Sequence, residues 1–337
     1  MSVIRLQGDT ERQLGIYYEV DPTSTPLGIG GMGRVFKGHM VNERTKATQP
    51  VAVKFMYEDL PPEAIDRARR EASMQFRNDN LVQMLAFIET QGTTDDGNAI
   101  CHYHVVSELL RGVTLSDALQ GKLVDYEGVM VDFASELMQL YYTRRDLFAA
   151  RVVKSLLAGL MALHDAGYIH RDIDPSNIML TADGHIKLID FGVARRMDSL
   201  SQIEGERLFG KPAYAAPELI RGETMKQNVT TDTYAVGILL YQLLCGTLPF
   251  TGDFNQVMKK QLSENVIVGN IPYKWLQSVV KRATEKQQDK RFQSAAEFRV
   301  ALDKESPLDN DRFPWPMFVM GMCLLGLAVG VVAAFLT

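Results

Sequence analysis

Five short motifs, which follow one another along the chain, constrain this sequence more than any other feature. They are GIGGMGRV at residues 28–35, VAVK at 51–54, HRDIDPSN at 170–177, IDFG at 189–192 and APE at 216–218. Each motif alone is weak, because so short a pattern recurs by chance. Together they favour a fold that brings distant glycine, lysine and acidic residues to one site.

The first motif has the glycine spacing of a phosphate-binding loop, with Gly28, Gly30, Gly31 and Gly33. Without a Cβ atom, backbone amides at such positions can close over phosphates. A dinucleotide-binding fold requires a helix directly afterwards, but RVFKG continues as a strand. The motif therefore favours a glycine-rich hairpin that covers phosphates, and the alternative is an ordinary hairpin turn.

The second motif ends a predicted strand at Lys54. Such a lysine is ordinarily solvated, but behind a glycine hairpin it could neutralise the phosphates of ATP. It would need a carboxylate to hold it, and motif context favours Glu71 over Glu63. A plain surface salt bridge remains the alternative for either residue.

In order and spacing, these motifs resemble those of the eukaryotic-type Ser/Thr protein kinase family. The resemblance covers roughly residues 17–302. It implies an α+β, bilobal protein-kinase fold, with a β-rich N lobe at about 16–110 and a helical C lobe at about 111–302. Residues 1–15 form an N-terminal extension outside this domain in the same interpretation.

The resemblance also implies the reaction, which is transfer of the γ-phosphate of ATP to Ser or Thr of protein substrates, autophosphorylation included. Asp172 would orient the hydroxyl and accept its proton, while Asn177 and Asp190 would hold Mg²⁺, with Mn²⁺ as a substitute. Three further residues would have structural roles in the C lobe. Asp232 would hold the backbone of the catalytic loop, and Glu218 and Arg291 would form a buried ion pair that braces the activation segment.

The expected nucleotide site is formed by residues of both lobes that surround the base and the phosphates, with Ser107 as a small residue behind the base. These residues are Gly28, Gly30, Gly31, Gly33, Val35, Ala52, Lys54, Glu108, Leu110 and Met179.

Two positions depart from the family pattern. Asp174 stands where the family usually has a lysine that touches the γ-phosphate, and Lys211 stands where it has a threonine near that lysine. We hypothesise that the charges are exchanged, so that Lys211 pairs with Asp174 and returns an ammonium to the site. The alternatives are two unrelated substitutions, with Lys211 in solvent, and a pseudokinase scaffold that binds nucleotide or partners without catalysis.

Residues between the IDFG and APE motifs suggest regulation by phosphorylation. This segment contains Ser199 and Ser201, and Arg171 precedes the catalytic aspartate. A phosphoserine there could pair with Arg171 and order the segment. Two solvated loop serines are the alternative.

The segment 317–336 contains twenty residues without a charge. At about 1.5 Å per residue, a helix of this length spans the roughly 30 Å hydrocarbon core of a bilayer. We therefore expect one transmembrane helix after a polar juxtamembrane linker at 303–316, and the alternative is a buried core helix.

Lys304 and Arg312 precede the predicted span, so the positive-inside rule keeps the kinase domain cytoplasmic. A bacterial inner membrane is the expected location, by analogy with single-span bacterial kinases. Gly326 and Gly330 have the GxxxG spacing that permits a homodimer of helices, although this spacing also arises by chance.

Composition excludes other classes of protein. The net charge of −5 argues against nucleic acid as the main partner. Three widely spaced cysteines give neither a disulfide framework nor a metal-ligand pattern. The stretch 121–145 resembles an insertion, either a docking surface or a longer helix packed on the large lobe.

Overall fold

The structure is a computed structural model that describes residues 3–74, 76–93, 97, 99–190, 195–197 and 211–304. Several predicted features lie outside these residues. They are Phe191, Gly192, Ser199, Ser201, the linker from residue 305 onward, and the transmembrane helix at 317–336 with Gly326 and Gly330.

The N lobe is built on a seven-stranded antiparallel sheet in the order β1-β2-β4-β5-β7-β6, with β3 paired to β4. The strands are β1 (Ile4–Leu6), β2 (Ile16–Val20), β3 (Gly28–Gly30), β4 (Gly33–Asn42), β5 (Thr48–Met56), β6 (Met84–Thr93) and β7 (Ala99–Glu108). The lobe also contains the helices α1 (Asp9–Leu14) and α2 (Pro62–Ser73).

Strand alternation in this sheet explains how it builds a site. Successive side chains of a strand point to opposite faces. Phe36 and Val53 are buried in a small core on one face. Val35, Ala52 and Lys54, which alternate with them, line a cavity on the other face. The same pattern that buries the core therefore presents the predicted nucleotide residues together.

The N-terminal extension predicted at residues 1–15 packs on the sheet of the N lobe. Strand β1 pairs with β2, and Leu6 is buried in the small core. Helix α1 ends at Gly15, whose φ of 66° is the left-handed conformation of a C-cap. The pairing of β1 with β2 could not be predicted, because a three-residue strand has too little periodicity to be recognised before its partner strand is known.

The C lobe is mainly helical, as predicted. Its helices are α3 (Leu115–Leu119), α4 (Asp132–Thr143), α5 (Arg145–Asp165), α6 (Pro217–Ile220), α7 (Val229–Cys245), α8 (Phe254–Ser263), α9 (Lys274–Ala283) and α10 (Ala295–Lys304). Short 3₁₀ helices lie at Pro175–Asn177, Thr224–Lys226, Val268–Asn270 and Gln288–Lys290. Helix α10 runs into the first residues of the predicted linker.

Short strands complete this lobe. They are β8 (Gly112–Thr114), β9 (Tyr168–Ile169), β10 (Ile178–Thr181), β11 (Ile186–Leu188) and β12 (Arg195–Arg196). Strands β11, β10 and β8 form one sheet in that order, and β12 pairs with β9. Both small sheets flank the segment 170–177, which carries the third motif.

Helix α5 forms the centre of the C lobe. Phe148, Val152, Leu156 and Leu160 recur at helical spacing and are completely or almost completely buried. Among the described residues, α5 is the one helix long and apolar enough to cross a membrane by length and composition. More than half of that segment is buried inside the protein, as in the core helix of a globular domain.

The stretch 121–145 contains helix α4, which packs against α5. Its apolar residues Phe133, Ala134, Leu137 and Met138 are buried at spacings of three and four. The helix alternative for this stretch is therefore confirmed for its second half. Its first half is a loop that lies at the cavity.

Candidate active site

A cavity of about 570 Å³ lies between the two lobes. Seven residues of the predicted nucleotide set line it: Gly28, Val35, Ala52, Lys54, Glu108, Leu110 and Met179. Ser107 also lines it, as expected of a small residue behind the base. We call the part around Lys54, Glu71 and Asp190 the inner end, and the part around Leu110, Val124 and Tyr126 the outer end.

The glycine loop is the hairpin between β3 and β4, and the chain continues as a strand, as the sequence predicted. Gly30 pairs with Gly33 across the turn. A Cβ atom on Gly33 would lie 2.1 Å from the carbonyl oxygen of Phe55, so only glycine fits there. Gly30, Gly31 and Gly33 do not line the cavity directly but form the flap that continues from Gly28.

Lys54 lies at the inner end of the cavity. Its Nζ is 3.7 Å from Oδ2 of Asp190. Burial lowers the pKa of Lys54, but the carboxylates of Asp190 and Glu71 outweigh burial and hold this pKa above its ordinary value. The ammonium therefore stays charged at neutral pH. An anionic ligand such as a phosphate would meet a fixed positive charge here.

Glu71, rather than Glu63, is the carboxylate of α2 that faces this lysine. Glu71 is buried and lines the cavity, whereas Glu63 is exposed in the first turn of the helix. The two residues are eight positions apart on one helix, so helical geometry decides which of them can reach Lys54.

The catalytic-loop motif places Asp172 and Asn177 in contact. Nδ2 of Asn177 donates to the backbone oxygen of Asp172 at 2.9 Å and to its Oδ2 at 3.0 Å. The backbone amide of Ile189 donates to the carbonyl of Asn177 at 2.8 Å, so the loop is tied to the residue before Asp190. Asp172, Asn177 and Asp190 are thus neighbours, although the first two do not line the cavity itself.

Asp232 holds the backbone of this loop, as the resemblance implied. Its carboxylate accepts the amides of His170 and Arg171, each at 2.8 Å, and contacts Nε2 of His164 at 2.8 Å. Arg171 and Asp190 have φ angles of 69° and 62°, which non-glycine residues adopt rarely. Such strain persists where the surroundings fix the backbone, and it is frequent at functional sites.

The electrostatic surroundings of Asp172 suit a proton acceptor. Burial raises the pKa of Asp172, and the carboxylates of Asp174 and Asp190 add to this rise. The imidazole of His170 and the hydrogen bond from Asn177 act in the opposite direction without cancelling the rise. A carboxylate with a raised pKa is a stronger base than one in water.

Asn177 and Asp190 fit a divalent cation that prefers oxygen ligands. Because Nδ2 of Asn177 is directed at Asp172, its amide oxygen faces another direction. The carboxylate of Asp190 is half-exposed at the cavity. An amide oxygen and a carboxylate are ligands that Mg²⁺ and Mn²⁺ accept. No cluster of three or more His, Cys, Asp or Glu residues that could hold a metal occurs in the described ranges.

The two residues that depart from the family pattern form an ion pair. Nζ of Lys211 donates to Oδ1 of Asp174 at 2.7 Å. The side chain of Asp174 is 2% exposed and that of Lys211 is 54% exposed. Ser176 joins them, since its amide and hydroxyl donate to the same carboxylate oxygen and its Oγ accepts from Lys211 at 2.8 Å. The sequence hypothesis had not included Ser176, which has no charge to draw attention.

The predicted brace of the C lobe is also present. Arg291 donates to both carboxylate oxygens of Glu218, at 2.8 and 3.0 Å, and both residues are buried. Burial would raise the pKa of Glu218, but the guanidinium holds it below its usual range. The pair fixes α6, which begins at the APE motif.

Sequence reasoning missed several residues at the site. Lys187 is buried and donates to Oε1 of Glu108 at 2.7 Å, which fixes the residue that begins the connection between the lobes. Lys122, Val124 and Tyr126 line the outer end. None of these residues belongs to a motif. The signal that could have found Lys122, Val124 and Tyr126 is only the insertion-like stretch 121–145, and no signal marks Lys187.

Comparison with known proteins agrees with this geometry. The family model of the protein kinase domain matches residues 23–298. The chain is 31% identical over 288 residues to the probable serine/threonine-protein kinase PknB of Bifidobacterium longum. The matched region covers 82% of this chain and 38% of that protein.

Two other relatives give a similar result. A probable serine/threonine-protein kinase of Streptomyces coelicolor is 32% identical over 312 residues, which is 89% of this chain and 41% of the relative. PknB of Mycobacterium tuberculosis is 31% identical over 285 residues, with coverage of 82% and 41%. The match therefore spans about two fifths of the length of each of these relatives.

Proposed function

This chain belongs to the eukaryotic-type Ser/Thr protein kinase family, and we propose that it transfers the γ-phosphate of ATP to serine or threonine of protein substrates, itself included. One observation carries the proposal: Lys54, Glu71 and Asp190 meet at the inner end of a cavity of nucleotide size, beside Asp172 and Asn177. Phosphoryl transfer depends mainly on positioning and charge neutralisation, and these side chains supply both.

In this mechanism Lys54 holds the phosphates by its ammonium, which Glu71 and Asp190 keep charged. Asn177 and Asp190 would hold Mg²⁺ or Mn²⁺, which neutralises charge on the phosphates when bound. Asp172 accepts the proton of the substrate hydroxyl. The hydroxyl oxygen then bonds to the γ-phosphorus, the bond to the β–γ bridging oxygen breaks, and ADP leaves.

We further propose that Lys211 supplies the cation that the family usually takes from the catalytic loop. Asp174 alone would place a negative charge near the γ-phosphate and would favour the pseudokinase alternative. Its contacts with Lys211 and Ser176 oppose that alternative, because they compensate the buried carboxylate. A buried charge without a partner would be costly.

The test of the main proposal uses the full chain, labelled ATP, Mg²⁺ and a generic acceptor protein rich in serine and threonine. We expect phosphate incorporation, and we expect Lys54→Ala to reduce it at least about 100-fold. Lys46→Ala, which changes an exposed lysine in the turn between β4 and β5, is the control. Nucleotide binding by the native chain without any transfer would favour the scaffold instead.

The remaining proposals concern location and regulation. The apolar segment 317–336 supports a single membrane anchor in a bacterial inner membrane, with Gly326 and Gly330 as a dimer contact. Deletion of residues 317–336 should move the chain from the membrane fraction to the soluble fraction. Ser199 and Ser201 are proposed phosphorylation sites, and phosphopeptide mapping after incubation with ATP tests them.

A further inference from the structure

The loop at residues 121–131, which we call the strap, forms part of the outer end of the cavity. It connects α3 to α4 and belongs to none of the five motifs. Lys122, Val124, Asp125 and Tyr126 of the strap line the cavity together with the connection between the lobes at Leu109. A ligand in this cavity would therefore have the strap as one of its walls.

The strap is a built structure that is fixed to the connection between the lobes. Oδ1 of the buried Asp125 accepts the backbone amides of Glu127 and Val129, at 2.9 and 3.0 Å. Its Oδ2 accepts Nε and a terminal nitrogen of Arg111, at 3.0 and 2.8 Å. Arg111 directly follows Leu110, so the strap moves with that end of the connection.

The strap also reaches the N lobe. Nζ of Lys37, on β4, lies 2.7 Å from Oε1 of Glu127 and 5.5 Å from the ring centre of Tyr126. Lys37 is two residues beyond Val35 on the same strand, so both side chains leave the cleft face of the sheet. In the register of β4 and β5, Lys37 lies opposite Ala52, whereas Gly33 of the flap lies opposite Met56. Lys37 therefore lies away from the flap.

This contact joins the lobes on one side of the cavity, and a second contact joins them on the other. There the backbone amide of Val82 donates to the carbonyl oxygen of Leu188 at 3.0 Å. The backbone amide of Leu188 in turn donates to the carbonyl oxygen of Asn80 at 2.8 Å. Val82 precedes β6. In the sheet, β6 and β4 lie on opposite sides of β5. Any opening of the lobes on the β4 side must separate Lys37 from Glu127.

We propose that the strap tightens nucleotide binding, because Tyr126 closes the outer end of the cavity and Glu127 ties the strap to Lys37 of the N lobe. The proposal rests on the nucleotide site proposed above and assigns Tyr126 and Glu127 as positioning residues of that site. Lys37 and Glu127 are each about 40% exposed, so their pair is weak by itself. The aromatic ring supplies the larger share of the effect.

Calorimetric titration of the full chain with Mg²⁺ and ADP tests the proposal. We expect Glu127→Gln to raise the Kd for ADP about two- to five-fold and Tyr126→Ala to raise it about ten-fold. In the double variant Lys37→Met/Glu127→Gln, which removes both partners, the Kd should stay within about two-fold of that of Glu127→Gln alone, because the second change has no ion pair left to break.

The chain offers a matched control in an exposed ion pair that lies wholly within the N lobe. Arg69 and Glu89 lie 2.6 Å apart with side-chain exposures of 52% and 42%, and neither lines the cavity. Glu89→Gln should leave the Kd unchanged. If the native chain binds ADP and both strap variants bind it equally well, the strap proposal fails alone. If the native chain does not bind ADP, the proposed nucleotide site fails and the strap proposal fails with it.

Discussion

The inner and outer ends of the nucleotide cavity are built in different ways. At the inner end, most of the acting groups come from short motifs: Lys54 from VAVK and Asp190 from IDFG, with Asp172 and Asn177 of HRDIDPSN beside them. Glu71, on α2, is the exception. At the outer end, the strap depends on one buried aspartate, Asp125, and on the connection between α3 and α4.

This difference has a physical reason. Phosphoryl transfer requires fixed charges at fixed places, so the groups that perform it tolerate few alternatives. A wall of a binding cavity requires only shape and modest attraction, which many sequences can supply. We therefore expect changes at the inner end to abolish chemistry and changes at the outer end to adjust affinity.

Among the changes that distinguish the two ends, Asp172→Asn should have the largest effect. We expect kcat for phosphotransfer to fall by about 10²- to 10⁴-fold, because the proton acceptor is lost. The Kd for ADP should change by less than about three-fold, since Asp172 does not line the cavity. Steady-state kinetics and calorimetry on the same preparation measure both quantities. A large loss of affinity with little loss of kcat would erase the distinction between the ends.

The second prediction concerns the exchanged charges at the inner end. Lys211→Thr should lower kcat about 10- to 100-fold, because it leaves the carboxylate of Asp174 uncompensated. The double variant Asp174→Asn/Lys211→Thr should recover part of this loss of kcat. The double variant Asp174→Lys/Lys211→Thr restores the usual family arrangement and should recover more of it. Additive losses in a double-mutant cycle would show that the two residues act independently.

The two ends also differ in how much the sequence could predict. Glu71 could be chosen over Glu63, and Lys211 could be paired with Asp174, because motif context fixed what each partner faces. Lys37 and Glu127 are 90 positions apart, and neither has a neighbour that marks it as special. Their contact exists only because Asp125 folds the strap and the lobes close around it, so it depends on tertiary structure alone.

The same reasoning explains which parts of the fold could not be predicted. The two lobes could be predicted because β4, β5 and α5 are long enough to show their periodicity. Strand β1 has three residues, and its place in the sheet is set by pairing with β2. Likewise, the stretch 121–145 could not be divided into strap and helix, since the buried face of α4 is defined by its contact with α5.

A smaller effect is expected on the pH dependence of catalysis. The pKa of Asp172 is raised by burial first and then by Asp174. Because a general base must be deprotonated, kcat should fall as pH drops through this raised pKa. Asp174→Asn removes one carboxylate that raises it, so the acid limb of the pH profile should move to lower pH, by less than about one unit.

The control for this profile is Asp183→Asn, which changes an exposed aspartate in the turn between β10 and β11. It should leave the acid limb in place. The limb is read from its midpoint and not from its height, so a lower overall rate in Asp174→Asn does not affect the comparison. A move of the limb to higher pH would contradict the assignment of Asp172 as the base.

The smallest expected effect is a difference in salt sensitivity between the ends. The Debye length falls from about 10 Å at 0.1 M to about 3 Å at 1 M, and exposed ion pairs are screened more than buried ones. The difference in Kd for ADP between the native chain and Glu127→Gln should therefore shrink to less than about 1.5-fold at high salt. Lys54 is 17% exposed, so the loss caused by Lys54→Ala should persist across the same range. If the losses of ADP affinity in Glu127→Gln and Lys54→Ala decline in parallel as salt rises, the two ends of the cavity do not differ in salt screening as their burial implies.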